Sequence, residues 1–117
     1  MGALAGEPVV KLYLVTRADL SAGQQAVQAA HALREFVATH PEEDARWYAQ
    51  SNTLAFLAAE NESSLRALIE GAQRLGVPVA AFCEPDRDGE LTAAAFGPSA
   101  RKLLARVPLA LRCMRAA

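Results

Sequence analysis

Cysteine is scarce in this chain: only Cys83 and Cys113 occur among 117 residues. Two cysteines make neither a metal motif nor a disulfide framework. Cys83 ends the apolar run VAAFC and reads as a buried, inert thiol. Histidine is equally rare, and His31 and His40 do not have zinc-ligand spacing. There is no Walker loop, no dinucleotide glycine pattern, no His/Cys cluster for a metal and no Ser-His-Asp arrangement that spacing supports. No apolar run is long enough to cross a bilayer. The opening MGALAGEP lacks the basic and apolar regions of a signal peptide and the Ser/Thr of a strong myristoylation site. A cytoplasmic protein without membrane contact is expected. A surplus of positive charge is missing too: the net charge is −1, which argues against strong general nucleic-acid binding.

The charge that is present is unevenly spread. Glu90 is the last acidic residue. Residues 1–90 hold seven basic and thirteen acidic groups, a net of −6, and residues 91–117 hold five basic groups and no acidic one. Such a basic end on an acidic body either faces phosphate or is a solvated helix and tail.

What remains reads as one globular domain over residues 1–117, with 1–8 and 113–117 expected to be flexible. VVKLYLV, Val9 to Val15, predicts a buried strand. A helix follows from Ala22 to Thr39 with Ser21 as N-cap, ended by His40-Pro41. Glu42-Glu43-Asp44 reads as a charged linker, and Ala45 to Gln50 as a helical turn anchored by Trp47. Strands are expected at Thr53–Ala59, Val79–Cys83 and Leu91–Phe96. A helix from Ser64 to Leu75, capped by Ser63 or Ser64, stops at Gly76, and a short one spans Ser99 to Arg106. The final VPLALRCMRAA has no clear element. Strands alternating with helices give an α/β class: a single three-layer domain whose mixed four-stranded sheet has helices on both faces. The short acidic turn from Glu84 to Glu90 makes the last two strands antiparallel.

The first helix carries the most informative pattern. At 100° per residue, Ala22, Ala26, Ala30, Leu33 and Val37 share the side expected on the sheet. Gln24, Gln28, His31 and Glu35 form a ridge at i, i+4, i+7, i+11, with small Ala29 and Ala32 beside it. That ridge is either a solvated face or a polar wall beside a cleft. Amides donate and accept, and His titrates near neutral pH, so such a wall suits a sugar, phosphate or ester. In α/β sheets, ligands bind at the carboxyl ends of strands. Arg17 and Asp19 follow the first strand, Glu84 and Asp86 the third, and Thr92 begins the fourth, so topology brings them together. Asp19 would alternatively cap the helix, and Glu84, Asp86 and Asp88 would simply form a turn.

The order of these residues resembles a known family. Arg17-x-Asp19-Leu20, a glycine, then Ala26-x-Gln28-x-x-His31-Ala32 is similar to the start of the archaeal and eukaryotic type of peptidyl-tRNA hydrolase. Trp47 before a strand, a Leu- and Ala-rich helix, a strand leading to an acidic turn, and Thr92-Ala93-Ala94-Ala95-Phe96-Gly97-Pro98 continue the likeness to about residue 100. The resemblance implies a mixed four-stranded sheet between helices. It implies cleavage of the ester between a peptide and the terminal ribose of tRNA, with peptidyl-tRNA as partner and with no metal or organic cofactor. It implies His31, Glu84 and Thr92 as catalytic residues and Arg17, Asp19, Gln24 and Gln28 as substrate-binding ones, to which the topology of the strand ends adds Asp86. Water would attack the carbonyl, with His31 or Glu84 as base and Thr92 or Gln28 donating to the oxyanion.

The departures from the family are local. Its Gly-Lys-Gly-Lys segment is Ser21-Ala22-Gly23-Gln24 here, about two residues shorter, with Gln24 in place of the second lysine. Its Asp-Ala-Gly-Arg-Thr turn is replaced by the shorter Glu84-Pro85-Asp86-Arg87-Asp88-Gly89, with Glu84 in place of the Asp. Positive charge beside the ester is thereby lost, and each such contact carries about one to a few kcal/mol. Three functions follow: a divergent peptidyl-tRNA hydrolase, a hydrolase of a smaller and less anionic ester or amide, or a non-catalytic binding protein. The apolar tail VPLALRCM would in the last case dock on a partner subunit, and a homodimer is one form of that.

Overall fold

β1 (Lys11–Arg17) is buried along almost its whole length and lies inside the sheet. Its run of aliphatic residues has covering layers on both sides, which is why hydrophobic and polar residues do not alternate. The computed structural model describes residues 9–112, so Cys113 and the flexibility expected for 1–8 and 113–117 lie outside the described residues. α1 (Ala22–Thr39) follows, with the Ser21 side chain accepting from the Gln24 N–H as a cap. α2 (Pro41–Gln50) starts immediately afterwards. The acidic stretch expected as a linker is therefore its first turn. Pro41 suits the first helical position, and Glu42, Glu43 and Asp44 face the positive end of the helix dipole.

β2 (Thr53–Ala59) leads into α3 (Glu62–Leu75). The α3 cap is Asn61, whose side chain accepts from the Ser64 N–H at 2.9 Å, rather than Ser63 or Ser64. Gly76 closes the helix at φ 72°, a left-handed conformation that glycine adopts without a Cβ penalty. β3 (Val79–Glu84), a 3-10 turn at Pro85–Arg87 and β4 (Glu90–Phe96) complete the sheet. The last expected helix is a 3-10 turn at Pro98–Ala100 followed by further turns.

The strand order is β2-β1-β4-β3, with β2 parallel to β1 and β4 antiparallel to both β1 and β3. This is the mixed sheet the sequence implied. One face packs Phe36 and Ala32 of α1 and Trp47 of α2 against Leu12, Leu14, Ala93 and Ala95. The other packs Leu65, Ile69 and Ala72 of α3, with Ala100 and Leu104, against Tyr13, Val15 and Phe96. The domain thus has three layers.

Three finer expectations are corrected. The sheet-facing seam of α1 is Gln25, Gln28, Ala29, Ala32 and Phe36, whereas Ala22, Ala26 and Ala30 are exposed and Leu33 and Val37 half-buried. Burying one phenyl ring outweighs burying several methyls, and Ala29 and Ala32 let the helix sit close to the strands. Cys83 is exposed. It lies on the edge strand, where an apolar run does not guarantee cover. Finally, residues that the tail reading left for a partner lie along this chain's own β2. Ala58 N–H donates to Pro108 O at 3.0 Å, Ala110 N–H to Phe56 O at 2.9 Å, and Leu109 bridges Leu57. That covers one edge of the sheet.

Candidate active site

The carboxyl ends of β1 and β3 and the start of β4 meet at one end of the sheet, beside the first turn of α1. A bulge there decides what faces α1. The β3–β4 register shifts between Phe82 and Cys83: Phe82 pairs with Ala93, but Cys83 with Leu91, which leaves Thr92 as the extra residue. Ala93 and Ala95 face the α1 layer and Leu91 faces the α3 layer. Simple alternation from Ala93 would turn Thr92 toward α3. The bulge turns it toward α1 instead, which is the use such irregularities serve in sheets.

Thr92 Oγ1 accordingly donates to Gln28 Oε1 at 2.8 Å. Gln28 Nε2 donates to Glu84 Oε1 at 3.0 Å and to Gln24 Oε1 at 2.9 Å. Thr16 Oγ1 holds the Thr92 carbonyl at 3.1 Å. Gln28 and Thr92 are both fully buried, so their hydrogen bonds are made in a low-dielectric setting. Both N–H donors of the Gln28 amide and the Thr92 hydroxyl proton are engaged. Glu84 is half-buried, and its second oxygen accepts from the Asp86 N–H at 3.5 Å. A polar chain therefore runs from the core through Gln28 to a carboxylate and an amide at the surface.

His31 is one turn further along α1 and exposed. Its ring stacks on Phe82 with centroids 4.5 Å apart and planes 10° from parallel. Phe82 and Glu84 alternate along β3, so His31 and the Gln28–Glu84 pair occupy the same side of that strand. Glu35, the last member of the expected ridge, is exposed.

Arg17 and Asp19 belong to a second cluster. The Arg17 guanidinium grips Asp19 with two bonds, at 3.0 Å and 2.9 Å, and reaches Glu90 at 2.7 Å and the Leu91 carbonyl at 3.1 Å. Arg17 is buried, and its hydrogen bonds to Asp19 hold its pKa above the ordinary value, against the effect of burial. Hydrogen bonding to Arg17 holds the Asp19 and Glu90 carboxyls below their ordinary range. Asp19 therefore pairs with Arg17, while Ser21 caps the helix. Asp86 is exposed on the turn. Sequence reasoning missed Glu90, which completes the Arg17 clamp, and Glu62, whose carboxylate accepts from the Leu91 N–H at 2.9 Å. It also missed Phe82, the platform for His31. Each is set by pairing across the sheet, which no local pattern signals.

Among the described residues, no group of three or more His, Cys, Asp and Glu side chains is disposed to hold a metal ion. No helix among them is long and apolar enough to cross a membrane. Comparison with curated proteins finds no match. The family model described as Peptidyl-tRNA hydrolase PTH2 matches residues 10–114, nearly the whole chain. A match of that extent, on a single domain with a mixed four-stranded sheet, shows that the chain belongs to the PTH2 peptidyl-tRNA hydrolase family.

Proposed function

We propose that this single-domain chain cleaves the ester between a peptide and the terminal ribose of tRNA, in the cytoplasm. The observation that carries this reading is the chain of hydrogen bonds Thr92–Gln28–Glu84, which holds one carboxylate at the surface beside His31 and Gln24. Glu84 takes a proton from a water molecule as that water adds to the ester carbonyl carbon. The carbon–oxygen bond to the ribose then breaks, and the ribose oxygen takes up a proton, supplied by the His31 imidazole or by solvent. Gln28 and Thr92 are positioning residues here, because their donors are spent on each other and on Glu84. Gln24 accepts from Gln28 through its oxygen, and its own N–H groups face solvent, where they donate to the developing oxyanion. Arg17 and Asp19 brace the strand ends, and Asp86 lines the rim.

A second reading, a smaller and less anionic ester, is favoured by one observation. Arg17, the cation nearest this end of β1, is fully engaged by carboxylates. Hydrolysis of an N-blocked aminoacyl-tRNA, beside the same acyl ester on adenosine alone, separates the two. The proposal expects tRNA ester cleavage that falls with both His31→Ala and Glu84→Gln. Equal activity in both variants would remove the assigned roles, and cleavage of only the small ester would favour the second reading. Absence of any cleavage by a folded sample would make this a binding protein on the family fold.

A further inference from the structure

A groove of about 370 Å³ opens on the α3 side of the sheet, beside the beginning of β1 and β2. Its floor includes Tyr13, Ala55 and Leu57, and its rim carries Lys11, Arg101 and Lys102. Among the described residues no carboxylate lines it. None of the three cations is in an ion pair among the described residues; the same holds for Arg34, Arg74, Arg106 and Arg112, so what marks the groove is that three such cations share one rim. In a chain of net charge −1, this is a local concentration of free positive charge. Tyr13 is buried, with no hydrogen-bond partner among the described residues, and Arg101 is close enough to act on its phenol.

Tyr13 and Leu57 are buried, so the floor that a ligand meets is aliphatic, from Ala55 and Leu109, and an aliphatic floor under a cationic rim takes ribose below and phosphates above. An acidic peptide would use the rim and leave the floor idle. The groove is also well separated from Glu84. It lies on the other face of the sheet and toward the other end of β1, a seven-residue strand of roughly 20 Å, the length of about six stacked nucleotides. The domain's shortest extent is 22 Å, so an RNA that meets both regions passes round an edge of the sheet. We infer that the groove rimmed by Lys11, Arg101 and Lys102 binds the phosphodiester backbone of RNA and supplies the affinity for the body of the substrate that the acidic catalytic end does not. The identity of that RNA as tRNA rests on the function proposed above. The groove's affinity for RNA backbone does not.

The test is binding of deacylated tRNA across a salt series, for wild type and for Lys11→Gln/Arg101→Gln/Lys102→Gln. Removing three phosphate contacts lowers the slope of log K against log salt by roughly 0.7–0.9 per cation, about 2 to 3 in all, and weakens binding about 10- to 100-fold near 0.1 M salt. Cleavage of the adenosine ester stays at the wild-type rate. Arg101→Glu/Lys102→Glu, confined to two exposed side chains, repeats the measurement without touching β1. Unchanged affinity and slope in both variants, or no tRNA binding by wild type, would overturn the inference. So would tripolyphosphate binding that the variants lose while tRNA binding persists, since the groove would then serve a small phosphate. Deacylated tRNA has no ester, so a chain that binds through this groove and cleaves nothing keeps the groove and loses the proposed reaction.

Discussion

Thr92 and Gln28 meet at 2.8 Å, hydroxyl to amide oxygen, across the interface of β4 and α1, and neither side chain touches water. A buried acceptor deprived of its donor keeps its full desolvation cost. Thr92→Val leaves the shape nearly intact and strips that donor, so the folded state loses about 1–3 kcal/mol. Urea unfolding should show the midpoint falling with an unchanged m-value. Adding Gln28→Met removes the stranded amide as well, and the double variant should lose less than the sum of the two single changes.

Glu84→Gln tests the carboxylate without disturbing its shape. The variant amide can still accept from Gln28 Nε2 through its oxygen, so thermal unfolding should stay close to wild type. Ester cleavage should fall by about 10²–10⁴-fold in kcat, the range of a lost general base, with KM little changed.

Gln24 is exposed at the start of α1, where the resembling family carries a lysine. Gln24→Lys returns a cation beside the ester. It should raise kcat/KM on the tRNA ester by about tenfold, equivalent to ~1.4 kcal/mol, and by less on the adenosine ester. The gain should shrink as salt rises, because an exposed charge is screened over about 10 Å at 0.1 M.

The Arg17 clamp sets an acid limit on stability. Asp19 and Glu90 have folded pKa values below their unfolded ones because Arg17 hydrogen-bonds to both. Their contribution is complete above the unfolded values near ~4 and is lost as pH falls through the depressed folded ones. Arg17→Met removes this dependence. The stability difference between wild type and variant should therefore be larger at neutral pH than at the acid end, measured by chemical unfolding at a series of pH values.

The strands and the sheet order were legible because their signals are local or topological. TLAFLAA matches β2 as read, and the short turn before Leu91 required an antiparallel pair. The facing of α1 departs from its helical wheel because alanines carry almost no weight on the wheel, and Phe36 overrides them. Gln28 and Thr92 were picked out by their order along the chain, yet their mutual bond depends on a bulge that sequence does not signal. Arg17 and Asp19 are two residues apart, but Glu90, which completes their cluster, is 73 residues from Arg17 and carries no local mark. Cys83 looked buried because its neighbours are apolar, and strand position in the sheet decided otherwise.

Among the described residues β4 is the last strand along the sequence, and it stands between β1 and β3. β1 and β2 can pair while the chain is still being made, but β3 has no neighbour until β4 arrives. The sheet therefore cannot close before Phe96 has been made and is free to pair. Pairing of this separation makes for slow folding, with half a sheet waiting on its own centre.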